Sequence, residues 1–132
     1  MPLYSIRKIT EHDMLVPETI LEVLGLKKGE YLIFKGSKTS REIVIRPLMT
    51  PSSKAAELKV LLRNVPGTNA RVDAVLGNLG INIVFGKGGL VEETIYSSVK
   101  VLDLSDCTCT LREVKKELES IPEVIDVAIE EL

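Results

Sequence analysis

Few residues in this chain have side chains suited to catalysis. Among its 132 residues there is one histidine, His12, and there are two cysteines, Cys107 and Cys109. A nucleophile–histidine–acid set would have to use His12, which lies in a polar stretch where a solvent-exposed histidine is the common finding. No pair of carboxylates stands out from the predicted acidic surfaces. We therefore expect no catalytic residues and no enzymatic activity.

The two cysteines are separated by one residue and precede a predicted helix. With no third cysteine or histidine nearby, packing at the start of the helix is favoured over binding of a soft metal or sensing of oxidation. The sequence thus predicts no metal site and calls for no cofactor.

Residues 86–89, Gly-Lys-Gly-Gly, have the composition of a phosphate-binding loop. Such a loop joins a strand to a helix, whereas this segment lies between two predicted strands. We therefore predict a hairpin turn here.

Composition and charge exclude several classes of protein. Hydrophobic residues make up 45% of the chain, which is enough for a buried core. No apolar run is as long as a membrane span, and the first residues lack the apolar stretch of a secretory signal, so we expect a cytoplasmic protein without membrane contact. The net charge is −2, so the whole chain is not a polycation drawn to nucleic acid.

Residues 49–56, which include a proline and two serines, are predicted to be a linker. They separate a module of residues 1–48, with eight basic and six acidic side chains, from one of residues 57–132, with eight and thirteen. The first module is near the size at which one core needs a second copy or a cross-link. It contains no cysteine, so we expect a dimer.

The first module is predicted to be rich in β-strand around one short helix. Pro17 is predicted as the first helical residue and Gly25 as the residue that ends the helix. The apolar face of this helix is predicted to be Ile20, Leu21 and Leu24. The predicted strands are residues 4–9, 15–16, 31–35 and 43–45, with a turn at residues 36–40.

The second module has a βαββαβ pattern. Thr110 and Glu113 form a capping box at the start of its second helix. Four residues at helical spacing give the apolar face of the first helix, which are Val72, Val75, Leu76 and Leu79. The predicted strands are residues 58–63, 81–85, 94–104 and 124–129. The chain is therefore expected to be α+β, with a ferredoxin-like second domain: a four-stranded antiparallel sheet with both helices on one face.

The loop after the first strand of this module is more specific than the pattern. Residues 64–72 read Asn-Val-Pro-Gly-Thr-Asn-Ala-Arg-Val, and residues 79–83 read Leu-Gly-Ile-Asn-Ile. Together they resemble the ACT domain, and the similarity covers residues 57–132. The resemblance implies a dimer that binds a small effector, most often an amino acid, beside this loop. In that family, the position of Asn64 is often Asp and that of Asn69 is usually apolar.

We expect the effector site at this loop, with a strand of a neighbouring copy as the other wall. Gly67 lets the backbone approach a ligand, and N–H groups at the start of the following helix suit a carboxylate. Asn64 is expected to meet an amino group. The alternative is a simple turn with Thr68 as the helix cap. The site residues are Asn64, Val65, Pro66, Gly67, Thr68 and Asn69, to which the resemblance adds Asn82 and Val84.

The first module resembles a second family. Residues 15–20 read Leu-Val-Pro-Glu-Thr-Ile and residues 43–47 read Ile-Val-Ile-Arg-Pro, with Leu-Gly-Leu and Lys-Gly-Glu between them. These segments resemble the AbrB-like swapped-hairpin DNA-binding domain over about residues 4–47. The resemblance implies an intertwined dimer that presents basic side chains to DNA.

The pairing of the two modules predicts an effector-responsive transcriptional regulator. Its partners would be a second copy, in dimers that can pair into tetramers, an effector such as an amino acid, and double-stranded DNA. Basic residues of the first module could contact phosphates once doubled in a dimer, although a solvated surface of mixed charge is the alternative. The residues predicted to contact DNA are Arg7, Lys8, Lys38 and Arg41. The second hypothesis is a regulatory subunit that controls a partner enzyme without binding DNA.

Overall fold

The computed structural model describes residues 3–8, 16–49 and 54–132. The chain divides into two compact units, Met1–Ser53 and Lys54–Leu132, and each is described by itself. Within the described residues, no helix is long and apolar enough to cross a membrane.

The first unit contains an antiparallel sheet in the order β1-β2-β3. Its elements are β1 (Leu3–Lys8), α1 (Glu18–Val23), β2 (Tyr31–Ser37) and β3 (Glu42–Met49). The hairpin of β2 and β3 turns at residues 38–41, close to the predicted turn. The predicted strand at residues 15–16 is wrong for Val16, which lies in a bend, while Leu15 and His12 lie outside the described residues.

The short helix α1 begins one residue later than predicted. Pro17 has an extended backbone, with ψ 137°, so it is the N-cap and not the first helical residue. Gly25 ends the helix as predicted, because its φ of 67° is left-handed. The N–H of Leu26 donates to the Leu21 carbonyl at 2.9 Å, which closes the helix end. The predicted apolar face is largely exposed in the single chain, since Ile20 is 48% and Leu24 is 62% accessible.

The second unit has the ferredoxin-like arrangement. Its sheet order is β5-β6-β4-β7, and all neighbouring strands are antiparallel. The elements are β4 (Ala55–Arg63), α2 (Thr68–Asn78), β5 (Asn82–Glu92), β6 (Ile95–Asp103), α3 (Leu111–Glu119) and β7 (Val124–Glu131). The predicted βαββαβ fold of this module is therefore confirmed.

The structure corrects two sequence predictions, one on the linker and one on the second module. Strand β4 includes Ala55 and Ala56, and β3 includes Met49, so the predicted linker of residues 49–56 is shorter than expected. Residues 86–89 are not a turn, because they lie inside β5 and pair with residues of β6. The chain reverses instead at residues 93–94.

The core lies between the sheet and both helices. Alternation along β4 buries Leu58, Val60 and Leu62 on one face. The predicted capping box of Thr110 and Glu113 is confirmed at the start of α3. The helices contribute Val72, Leu76, Val114 and Leu118, each of them fully buried. This packing fixes the start of α2, where the candidate site lies.

Alanine substitutions at two glycines near the end of α2 should have opposite effects on the free energy of unfolding. Gly80 has φ 76°, and a Cβ there would lie 2.9 Å from the Asp106 carbonyl oxygen. We expect Gly80→Ala to lower the free energy of unfolding by about 1–3 kcal/mol. Gly77 is helical and a Cβ there meets nothing within 4 Å. Gly77→Ala should therefore raise the free energy of unfolding by about 0.5–1 kcal/mol. Urea denaturation of both variants measures this, and equal shifts would contradict the assigned backbone conformations.

Candidate ligand-binding site

The turn into α2 leaves backbone donors open at the helix start. Gly67 is the N-cap with φ 86°, and no side chain caps the helix. The first N–H groups of a helix have no partner inside it. Here the Thr68 N–H donates to the Val65 carbonyl at 3.2 Å, and the Arg71 N–H donates to the Gly67 carbonyl at 3.0 Å. The N–H groups of Asn69 and Ala70 are therefore placed to receive an anionic group.

Hydrogen bonds hold this loop in one conformation. The Asn64 backbone N–H donates to the Thr94 carbonyl at 2.8 Å, and its side-chain Nδ2 donates to the Glu93 carbonyl at 3.2 Å. Asn64 Oδ1 remains as the acceptor of that side chain. The buried hydroxyl of Thr68 donates to the Val65 carbonyl at 2.9 Å, so Thr68 fixes the turn but is not the helix cap.

The loop opens onto a surface depression of about 220 Å³. Five of the six predicted loop residues line it, which are Asn64, Val65, Gly67, Thr68 and Asn69. The other lining residues are Leu62, Arg63, Ala70 and Tyr96, and Pro66 is exposed at the turn.

The structure does not bring the predicted strand residues to this depression within one chain. Asn82 begins β5 and pairs with Asp103, whereas the loop follows Arg63, which pairs with Ile95 at the other end of the sheet. Val84 is half-buried in the same strand as Asn82. Their assignment to the site still requires a neighbouring copy.

A buried lysine lies beside this depression and was missed by the sequence analysis. Lys100 of β6 is 5% accessible, and its Nζ donates to Asn69 Oδ1 at 3.0 Å. The same Nζ lies 3.0 Å from Asp73 Oδ1 of α2. The ammonium thus provides a hydrogen-bond partner for Asn69, at a position where the resemblance to the ACT domain leads one to expect an apolar residue. Strand alternation was the available signal, since it places residue 100 on the same face as the buried Leu102.

Tyr96 borders the depression because Gly88 has no side chain. A Cβ at Gly88 would overlap the Tyr96 hydroxyl and would lie 2.7 Å from Cζ. The absence of a side chain at Gly88 thus allows an aromatic ring to lie across β5. A second depression, of about 310 Å³, adjoins the first and shares Asn69 and Tyr96 with it.

The residues predicted to contact DNA lie in the first unit. Lys38 and Arg41 are exposed at the turn between β2 and β3, where Arg41 has a left-handed φ of 58°. Arg7 and Lys8 lie in β1, where they pair with Leu32 and Tyr31. The predicted contact with DNA stays a prediction.

The surroundings of the two cysteines suit a structural role. Cys107 Sγ donates to the Cys109 carbonyl at 3.5 Å, and both side chains pack against the core. Burial raises the pKa of the Cys109 thiol to about 11, which leaves little reactive thiolate near neutral pH. Within the described part of the chain, no three His, Cys, Asp or Glu residues are grouped so that they could hold a metal ion.

An ion pair ties α2 to the segment before β7. Arg71 Nη2 lies 2.9 Å from Glu123 Oε1, and the hydrogen bond from Arg71 lowers the pKa of Glu123. Because the pKa is lower in the folded state, the ionised carboxylate stabilises the fold at pH values above the pKa of the unfolded state. This stabilisation is lost as the pH falls through the pKa of the folded state.

We therefore expect Glu123→Gln to lower the melting temperature at pH 7. The difference from the parent protein should shrink as the pH falls below about 4, where the parent carboxylate also becomes protonated. Thermal melts from pH 3 to 8 measure this, with Glu130→Gln, at an exposed position of β7, as the matched control. A difference that stays constant across this range would rule out a charge effect.

Comparison with known proteins shows likeness of fold alone. No family model matches the sequence, and no curated protein matches it. The C-terminal domain of the MgtC protein from Mycobacterium tuberculosis is 16% identical, with a TM-score of 0.50 over 64% of this chain and 93% of that one. An unknown protein from Galdieria sulphuraria is 24% identical, with a TM-score of 0.51 over 69% of this chain and 58% of that one. The ACT domain of the GTP pyrophosphokinase from Chlorobium tepidum gives 14% identity and a TM-score of 0.49, over 60% of this chain and all of that one.

Proposed function

We propose that this protein is a regulator without catalytic activity, whose second unit is an ACT-like sensor of a small effector. The observation that carries the proposal is the Gly67 turn, which opens uncapped helix N–H groups onto a depression of about 220 Å³. The βαββαβ topology and the residues of the loop support the ACT-like assignment. The fold alone would not define a function.

The effector that best fits this geometry is an amino acid. Its carboxylate would accept hydrogen bonds from the N–H groups of Asn69 and Ala70, and its amino group would donate to Asn64 Oδ1. A neighbouring copy would cover the open side of the depression with residues around Asn82 and Val84.

A thermal-shift screen of the full chain tests this proposal. The twenty standard amino acids and the common nucleotides serve as the panel. A ligand at about a hundred times its dissociation constant raises the free energy of unfolding by about 2.7 kcal/mol. We expect a hit among the amino acids. A hit among the nucleotides alone would reject this effector class, and no hit at millimolar concentrations would reject the sensor.

We propose further that the first unit is an AbrB-like swapped-hairpin module that forms a homodimer. Several apolar side chains of this unit are accessible in the single chain, with Val23 at 85% and Ile43 at 73%. A second copy would cover them, which agrees with the small size of the unit. Sedimentation of the full chain should show a dimer, or a tetramer of paired dimers, at micromolar concentration. Val23→Glu should dissociate or unfold this unit, whereas Val91→Glu, exposed in the second unit, should not.

In this proposal the dimer binds double-stranded DNA and acts as a transcriptional regulator. The exposed cations Lys38 and Arg41 support the proposal, together with Arg7 and Lys8 of β1. The logarithm of the binding constant for duplex DNA should then fall steeply with the logarithm of the salt concentration. Arg7→Ala or Lys38→Ala should make the slope of this plot shallower by about one unit. Absence of duplex binding at low salt, with and without the effector, would favour the regulatory subunit of a partner enzyme.

A further inference from the structure

The side chain of Asn69 lies where the two depressions meet. Asn69 is half-buried in the first turn of α2 and lines both depressions. The second depression, of about 310 Å³, lies over β5 and β6 beside the loop site. A ligand whose head group occupies the loop would therefore pass Asn69 where it extends into the second depression.

Lys100 fixes the orientation of the Asn69 amide. The buried Nζ of Lys100 lies 3.0 Å from Asn69 Oδ1. An ammonium can only donate hydrogen bonds, so the oxygen of the amide, and not its NH₂ group, must face the lysine. No acceptor for this NH₂ group is found in the part of the chain that the structure describes. Asn69 Nδ2 thus offers two N–H donors to a ligand.

The residues that line the two depressions carry a net positive charge. Among the described lining residues, Arg63, Lys87 and Lys100 are cations and Asp73 is the one anion. Asp73 lies 3.0 Å from Lys100 Nζ and offsets the charge of that lysine. Arg63 and Lys87 are exposed, so water weakens their field without changing its sign. A surface with an excess of positive charge attracts an anionic ligand.

We propose that the effector is an amino acid with an acidic side chain, whose carboxylate accepts hydrogen bonds from the NH₂ group of Asn69. This side chain supplies both an acceptor for the amide and a negative charge for the lining. A carboxamide would supply the acceptor without the charge, and an ammonium would supply neither. The inference rests on the proposed function, since the head group of the amino acid stays at the loop, and it names the side chain that the effector carries.

Calorimetric titration of the full chain with six amino acids tests this assignment. The probes are glutamate, aspartate, glutamine, asparagine, lysine and norleucine. We expect glutamate or aspartate to bind about tenfold or more tightly than its own amide, and more tightly than lysine or norleucine. If amino acids bind without this preference, the acidic side chain is wrong and the sensor stands. If no amino acid binds, the proposed function fails as well.

Asn69→Asp sharpens the test, because it replaces the NH₂ group by an oxygen and keeps an acceptor for Lys100. The affinity for the acidic amino acid, divided by that for its amide, should fall about tenfold or more, since two carboxylates would then face each other. Any effect on the head group cancels in this ratio. Asn78→Asp, exposed at the other end of α2, adds the same charge and should leave the ratio unchanged. If both variants, shown to be folded by thermal melts, keep the ratio of the parent protein, the role of Asn69 is overturned.

Discussion

Gly67→Val should weaken binding of the effector by about 100-fold or more, equivalent to roughly 3 kcal/mol. Gly67 has φ 86°, which a β-branched residue rarely adopts. A side chain there would also occupy open space at the mouth of the depression, since nothing lies within 4 Å of the Cβ position. Calorimetric titration with the amino acid found in the thermal-shift screen measures the loss.

Two further variants separate backbone strain from obstruction. Asparagine tolerates a left-handed φ, so Gly67→Asn should keep the turn and lose affinity mainly by filling the space. Asn64→Ala should cost less than Gly67→Val, about 1–3 kcal/mol, because it leaves one polar group of the ligand unpaired. If all three variants, folded by circular dichroism, bind the effector as the parent does, the Pro66-Gly67 segment is only a turn.

Leu76→Ala should lower the free energy of unfolding by about 2–5 kcal/mol. Leu76 is fully buried between α2 and the sheet, so the loss of its side chain leaves a cavity in the core. Leu90→Ala, at a side chain that is 59% accessible in β5, is the matched control and should change stability by less than about 0.5 kcal/mol. Urea denaturation compares them, and similar losses would mean that the helix does not pack as described.

The second module could be predicted from sequence because local patterns and tertiary packing agree there. The helical spacing of Val72 and Leu76 matches the buried face of α2, and the capping box at Thr110 begins α3 where predicted. The turn at Gly67 could be predicted for the same reason, since the loop residues themselves require it. Five of the six predicted loop residues line one depression.

The parts that could not be predicted depend on contacts between distant residues. Residues 86–89 have turn composition, but in β5 the ring of Tyr96 lies over Gly88, and local sequence carries no sign of that contact. Lys100 was overlooked because a charged residue in an apolar run is normally assigned to solvent. Its partners, Asn69 and Asp73, lie about thirty positions away in the chain and meet it only when α2 packs against the sheet.

The contact between Gly88 and Tyr96 makes these two positions interdependent. Any side chain at position 88 would occupy the space of the Tyr96 hydroxyl and ring. A related sequence with alanine or a larger residue at position 88 should therefore carry a smaller residue at position 96, and the two changes should be tolerated together better than the change at position 88 alone. Because Tyr96 borders both depressions and Gly88 lines the second, such a paired exchange would also change the shape of the surface at which a ligand could bind.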